Sequence, residues 1–405
     1  MKVLFISPHY PEEMQEFTRG LSEVGARVYG VGDVPLQQIP SHVRRYLSGY
    51  IQTASLFAED RAVADIAPAV RHLGLDRVEC LWEPCIELAA KLREQLDLPG
   101  MRYVDAVAFR DKAIMKERLV AAGLRVPHFA RASTASMVWE AAERIGYPLI
   151  IKPIAGAGSK DTYRVEDPKG LQAVLDLVKH VPEVSVEEYI DGEEFTYDTV
   201  CINGVPAFDS VAQYIPKPIE ARSKEWISPA QIVLRDPHIP QLEPGVTLGK
   251  NVLVAMGVQT GFTHMEWYLK PNGEAVFGEI GGRAPGGKLV DQMNFANDFD
   301  VYREWARSVC WQTFNADYKR RYHCGAVFKR AIGQGRICAI EGLDEIRRQC
   351  GPWLVGLNLL PIGSPRRDWR NTLISDGWLF VRHPDYATCK KLVDLAVSDL
   401  RIFAR

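Results

Sequence analysis

Residues 261–288 read GFTHMEWYLKPNGEAVFGEIGGRAPGGK, and the rest of the chain is arranged around them. Asn272-Gly273 is flanked on both sides by apolar and aromatic residues, the strongest short-range signature of a two-residue β-hairpin. With these two residues as the loop, Pro271 faces Glu274, and pairing outward sets Glu266 opposite Glu279. Directly opposed side chains have Cβ atoms about 4.5–5.5 Å apart, and like charges there are destabilising unless compensated. A divalent cation is one compensator. Magnesium suits two carboxylates best, because it completes its shell with water and substrate phosphates. The same residues fit equally well a solvated hairpin whose acids point to water.

The chain has 405 residues, which predicts two or three domains. A hydrophobic content of 47% and a charged content of 25% are those of an ordinary globular protein. The net charge of −2 provides no basic field toward nucleic acid or a membrane surface, so neither is expected as a partner. Eight scattered cysteines without a C-x-x-C pair indicate neither a disulfide framework nor a zinc site. Val3-Leu4-Phe5-Ile6 opens the chain without a basic n-region or cleavage site, and no apolar run approaches membrane length. The expected location is cytoplasmic.

Residues 3–7 read as a buried strand, followed by a helix with Met14, Phe17, Leu21 and Val24 on one stripe and a second strand through Val28 to Val31. A helix near Ala62–Leu73, a strand at Val78–Trp82 and a helix from Pro84 continue the alternation, so residues 1–105 form a doubly wound unit. Its first turn, Ser7 to Pro11, has no glycine, so the dinucleotide fingerprint is absent and the strand ends are expected to serve a substrate. A helix is predicted from Asp105 through Ala122, with Lys112 near its start. Tyr147 to Pro153 is an apolar strand carrying Lys152 at its end, and Ala155-Gly156-Ala157-Gly158-Ser159-Lys160 follows as a small-residue loop rich in N–H donors. A strand, turn and strand run from Ser185 to Thr196, and Asn203-Gly204 gives a second hairpin signal. Residues 208–240 read as a long irregular loop containing Lys217, Arg222, Lys224 and Trp226, and residues 324–405 as short strands with a final helix near Cys389–Leu400.

In this order the pieces resemble the ATP-grasp superfamily, and within it carboxylate–amine ligases of the L-amino acid ligase and D-alanine–D-alanine ligase type. The resemblance implies an α/β and α+β architecture, the ATP-grasp fold with an N-terminal Rossmann-like domain. Residues 1–105 would form that domain, 106–185 a small subdomain with the glycine-rich loop, 186–320 a large subdomain with the metal site, and 321–405 a C-terminal mixed segment packed on it. Arg110-Asp111-Lys112 is similar to the family's first nucleotide lysine, and Lys152 to its second. Gly156, Gly158 and Ser159 fall on the phosphate-covering loop. Glu187, Glu188 and Ile190 fall on the hinge that reads adenine through backbone groups, and Glu194 on the ribose-binding acid. Glu266 and Glu279 match the magnesium ligands, and Arg283 the arginine at the transferring phosphate. Where the family commonly has an asparagine ligand, this chain has Gly281, which leaves the number of metal ions open and would make room for a larger acyl substrate.

The activity so implied is transfer of the γ-phosphate of ATP to a carboxylate, then attack of an amine on the acyl phosphate to form an amide. ATP and magnesium would be needed, with manganese able to substitute; the partners would be small carboxylate and amine substrates, and the assembly a homodimer. Lys152 and Arg283 would act at the phosphoryl group. Lys288, Arg222, Lys224 and Trp226 are candidates for substrate binding, with Trp267 and Tyr268 as an aromatic lining. The alternatives are an acceptor other than an amine, phosphoryl transfer alone, or a nucleotide-binding protein with a dead site; retention of both lysines, both acids and Arg283 speaks against the last.

Overall fold

A computed structural model describes residues 1–154 and 161–405, so Gly156, Gly158 and Ser159 lie outside the described residues. The described residues build four sheets. The first is wholly parallel, in the order Leu47–Gln52, Arg27–Gly32, Lys2–Ile6, Arg77–Glu79. Its centre is the apolar run Val3–Ile6, buried on both faces as a parallel strand under helices must be. The edge strand Leu47–Gln52 lacked a clear sequence signal because most of its side chains are only half-buried.

A four-stranded antiparallel sheet follows, ordered Phe129–Ala132, Val184–Glu188, Leu149–Pro153, Tyr163–Val165. The third sheet has nine strands and carries the opening hairpin at its edge: Ala275–Gly281 pairs with Gly261–Leu269, which pairs with Glu193–Ile202. The C-terminal strands His323–Lys329, Gly377–His383 and Leu354–Leu359 extend this same sheet at its far end. A small sheet of Ile332–Gly333, Arg401–Ala404 and Ile337–Glu341 lies beside it. No described helix is long and apolar enough to cross a membrane.

Three sequence expectations are corrected. The segment 208–240 is not a long loop: it supplies the strands Ala212–Ile215 and Ala230–Val233 to the middle of the large sheet, with a helix Pro218–Ser223 between them. Strands of four residues interrupted by Pro216 and Pro218 are too short to show their period. The helix expected over 105–122 is two helices, Tyr103–Ala108 and Lys112–Ala121. Asp111 separates them by capping the second, its Oδ1 accepting from Ala113 N and Ile114 N at 2.9 and 3.0 Å.

The third correction lies in the opening hairpin. Its loop has three residues, Pro271-Asn272-Gly273, since Lys270 N donates to Glu274 O at 2.9 Å and Leu269 faces Ala275. Every pair near the turn is therefore one residue out of the expected register, down to Trp267 opposite Phe277. A β-bulge at Gly278 then inserts one extra residue, and Glu266 faces Glu279 after all. By contrast, Asn203-Gly204 is the two-residue turn expected, with Ile202 opposite Val205 and φ of 51° and 83°.

The N-terminal unit is fixed to the large sheet by one shared core. Helix Met14–Glu23 packs on helix Val301–Trp311, where Phe17 meets Tyr302 and Trp305 edge-on at ring separations of 4.8 and 5.0 Å. Burying such a side chain contributes about 1.5–3 kcal/mol. Gly20 permits the approach, because a Cβ there would lie 2.7 Å from the Tyr302 carbonyl oxygen. This packing carries the carboxyl ends of the parallel strands toward the hairpin edge of the large sheet.

Candidate active site

A cavity opens between the small antiparallel sheet and the hairpin edge of the large one, lined among others by Lys112, Lys152, Glu194, Glu266, Glu279 and Arg283. Lys112 is the first residue of its helix, and its Nζ lies 3.1 Å from Glu279 Oε1. Lys152 stands near the end of strand Leu149–Pro153 with its Nζ 3.0 Å from Glu187 Oε2. Burial opposes its charge, but Glu187 and Glu279 outweigh that and raise its pKa, so it is an ammonium at neutral pH.

Glu187 is not a free hinge acid. Its second oxygen takes Lys116 Nζ at 2.9 Å, and the Ser185 hydroxyl donates to it at 2.7 Å. Burial works against this carboxylate, yet Lys116 and Lys152 hold it down to about 2, while burial pulls Lys116 down to about 8. Glu188 is likewise occupied, accepting from Arg125 Nη2 and from His128 N at 2.9 and 3.0 Å. Both carboxylates are thus committed to neighbouring cations and amides. Ile190 is buried and lines the cavity.

Glu266 and Glu279 are direct register partners on adjacent strands. The Tyr214 hydroxyl donates to Glu266 Oε1 at 3.1 Å, and His264 Nε2 stands 3.7 Å from the same oxygen. Burial would raise Glu266, but His264, Tyr214 and Lys152 reverse this and keep it charged. Burial and the Glu266 charge together push the neighbouring Glu194 well up. His264 Nδ1 lies 2.5 Å from Asp198 Oδ1; burial opposes its charge, but Asp198 and Glu266 raise it to about 9. Among the described residues no group of three or more His, Cys, Asp or Glu could hold a metal. An ion here would rest on two carboxylates and complete its shell from water and phosphate, a donor set that fits magnesium.

A second cavity, of about 350 Å³, adjoins the first and is lined by Glu83, Tyr214, Arg222 and Arg330 among others. His264, Glu266 and Arg283 line both. Arg283 is held by Glu83, whose Oε2 lies 2.6 Å from Nε and 2.5 Å from Nη2; Arg110 Nη1 takes the other oxygen at 2.5 Å. Burial disfavours the Glu83 charge, but Arg283 and Arg110 keep its pKa below the usual range. The room expected at Gly281 is taken: a Cβ there would meet Arg283 Cγ at 3.2 Å.

The substrate candidates are scattered. Arg222 lines the second cavity, donating to the carbonyls of Trp369 and Arg370 at 3.5 and 3.1 Å. Lys288 is paired with Glu12 at 2.9 Å and lines neither cavity. Trp226 is 76% exposed, with Lys224 Nζ 6.0 Å from its ring centroid, and neither reaches the cavities. Trp267 belongs to the core, stacked on Phe195 at 5.0 Å, whereas Tyr268 does line the first cavity.

Sequence reasoning missed Glu83, Arg110, Lys116, Tyr214, His264 and Arg330. Two were within reach: Lys116 is one helical turn after Lys112, and His264 is two residues before Glu266 on the same strand face. Arg110 stood in the Arg110-Asp111-Lys112 motif without a role of its own, and nothing local marks Glu83, Tyr214 or Arg330.

Residues 109–223 match the family described as ATP-grasp domain. The whole chain superposes on an L-amino acid ligase from Bacillus licheniformis with a TM-score of 0.80 and 20% identity, covering 100% of this chain and 98% of that one. The chain has the ATP-grasp fold. Within it, the match to an L-arginine-specific L-amino acid ligase of Bacillus subtilis is 28% identical over 222 residues, 53% of this chain and 52% of that protein. A D-alanine–D-alanine ligase of Clostridium botulinum is 34% identical over 107 residues, 25% of this chain and 36% of the relative. The chain thus spans about a third to a half of these two curated relatives. In ATP-grasp terms, the first cavity lies between the two antiparallel sheets, and the second is completed by the N-terminal unit through Trp82 and Glu83.

Proposed function

We propose that this protein is an ATP-dependent carboxylate–amine ligase that forms an amide bond through an acyl phosphate, with amino acids or related small carboxylic acids as substrates. The supporting observation is that Arg283, Glu266 and His264 line both cavities, so that a phosphate in one and a carboxylate in the other would meet at Arg283. In this reading Lys112 and Lys152 neutralise the phosphates of ATP, and phosphoryl transfer proceeds by positioning and charge stabilisation. Glu266 and Glu279 hold magnesium, which supplies charge neutralisation at the phosphate oxygens. Arg283, oriented by Glu83, stabilises first the moving phosphoryl group and then the oxyanion formed as the amine attacks. The amine nitrogen bonds to the acyl carbon, phosphate leaves with the C–O bond pair, and the amine proton is lost to solvent.

The test is phosphate release from Mg-ATP across amino acids singly and in pairs, with mass spectrometry of products and Glu279→Ala as control. Release that needs two amino acids, yields a condensed product and vanishes in the variant is the expected result. Release without a new amide would leave a phosphoryl transferase or another acceptor. Failure to bind Mg-ATP would sink the reading.

A further inference from the structure

We propose that Arg330, with Arg222 beside it, binds a substrate carboxylate distinct from the one that is activated. Arg330 directly follows strand His323–Lys329 and is 5% exposed. Its Nη1 donates to the carbonyls of Ala221 and Lys224 at 2.7 and 3.0 Å, while its Nε has no hydrogen-bond partner among the described residues. Trp369 covers one face of the guanidinium at 4.5 Å. Arg222 is satisfied only by carbonyl oxygens, and the nearby Arg366 already has Glu225 at 2.5 Å. Among the described residues, then, two guanidiniums face one cavity without a carboxylate partner.

A buried cation without a directly bonded counter-charge is costly, and the half-buried Arg222 beside it adds to that cost. Their acidities agree: burial and the neighbouring Arg222 and Arg366 pull Arg330 down to about 10 although Glu225 and Asp376 oppose them, and burial lowers Arg222 against the pull of Asp368. An anion relieves both. Nucleotide phosphate is not that anion, because neither arginine lines the first cavity. The activated carboxylate belongs beside Arg283 and Glu266, where the two cavities join. What remains is a second acid group on a substrate lying in the larger cavity against Phe328 and Leu373. Its identity as a substrate group rests on the ligase reading; the anion site itself does not.

Calorimetry on the full chain tests the site with succinate and its uncharged analogue succinamide. Succinate should bind the wild type and succinamide should not. Arg330→Met and Arg222→Met should each weaken succinate at least ten-fold, with Mg-ADP binding within two-fold of wild type. In the ligase assay, Arg330→Met should raise the KM of one amino acid at least ten-fold and leave the KM of ATP unchanged. Should that variant fail to fold, Arg330→Lys and Arg222→Met carry the test. No succinate binding to the wild type, equal binding of succinamide, or unchanged affinity in the variants would overturn the proposal. Succinate binding without any ligase activity would overturn the ligase reading and leave the anion site standing.

Discussion

The carboxylate of Glu83 lies 2.6 Å from Nε of Arg283, a contact between residues 200 positions apart. It joins the loop after the last parallel strand to the end of the opening hairpin, and Arg110 shares the same carboxylate. Glu83→Gln should therefore loosen Arg283 while leaving the ion pairs of Lys112 with Glu279 and of Lys152 with Glu187 in place. We expect kcat to fall about 100-fold, as an ångström-scale misplacement of a reacting group can cost, with the KM of ATP within two-fold. Steady-state phosphate release checks both. An unchanged kcat would show that Arg283 is positioned without Glu83.

Gly278 sets the register of the acid pair. A Cβ there would lie 2.8 Å from the Glu266 carbonyl oxygen, so Gly278→Ala must distort the bulge. Overpacking of this kind costs about 1–3 kcal/mol. Activity should fall further than stability alone explains, because Glu266 and Glu279 would lose their opposition. Denaturant unfolding beside Mg-dependent phosphate release separates the two effects. Full activity in a destabilised variant would show that the exact pairing is dispensable.

Glu187 bridges two lysines, and Glu187→Gln leaves Lys116 and Lys152 facing a neutral group. Breaking a buried pair from one side costs about 3–5 kcal/mol. The Glu187 carboxyl sits at about 2 in the folded protein, below its ordinary 4.5. Its stabilising contribution is therefore complete above about pH 4.5 and disappears as pH falls toward 2. The stability gap between wild type and Glu187→Gln, from urea melts, should shrink from pH 6 to pH 3. A gap independent of pH would exclude this charge as its source.

Gly281→Asn would introduce the side chain that the ATP-grasp resemblance implies as a metal ligand, but Arg283 fills that space here. The substitution should displace Arg283 and lower kcat by about 10- to 100-fold. A magnesium titration of the activity makes the measurement. Tighter magnesium dependence at unchanged kcat would show that the asparagine fits after all.

The hairpin illustrates how far the sequence reached. Asn272-Gly273 announced a turn, and Glu266 opposite Glu279 proved correct, but through two departures that offset each other: a three-residue loop and the Gly278 bulge. Turn propensity and strand alternation act over a few residues, so they mark elements well and registers poorly. Lys152 was legible for the same local reason, standing near the end of a strongly patterned strand, whereas Lys112 was singled out by the family resemblance and its place as the first residue of a helix appeared only in the fold.

By itself, the sequence determined the alternation of strands and helices that opens the chain, the two hairpin turns, and the lysines and acids placed on the elements around them. Tertiary structure alone decided that Glu83 reaches Arg283, that Lys116 and Lys152 share Glu187, and that Arg222 and Arg330 face one cavity. It also moved residues 212–215 and 230–233 from a supposed loop into the centre of a sheet. The physical reason is range. Periodicity and capping are written between near neighbours in the chain, whereas a buried charge finds its partner only when packed sheets bring distant segments within a hydrogen bond of each other.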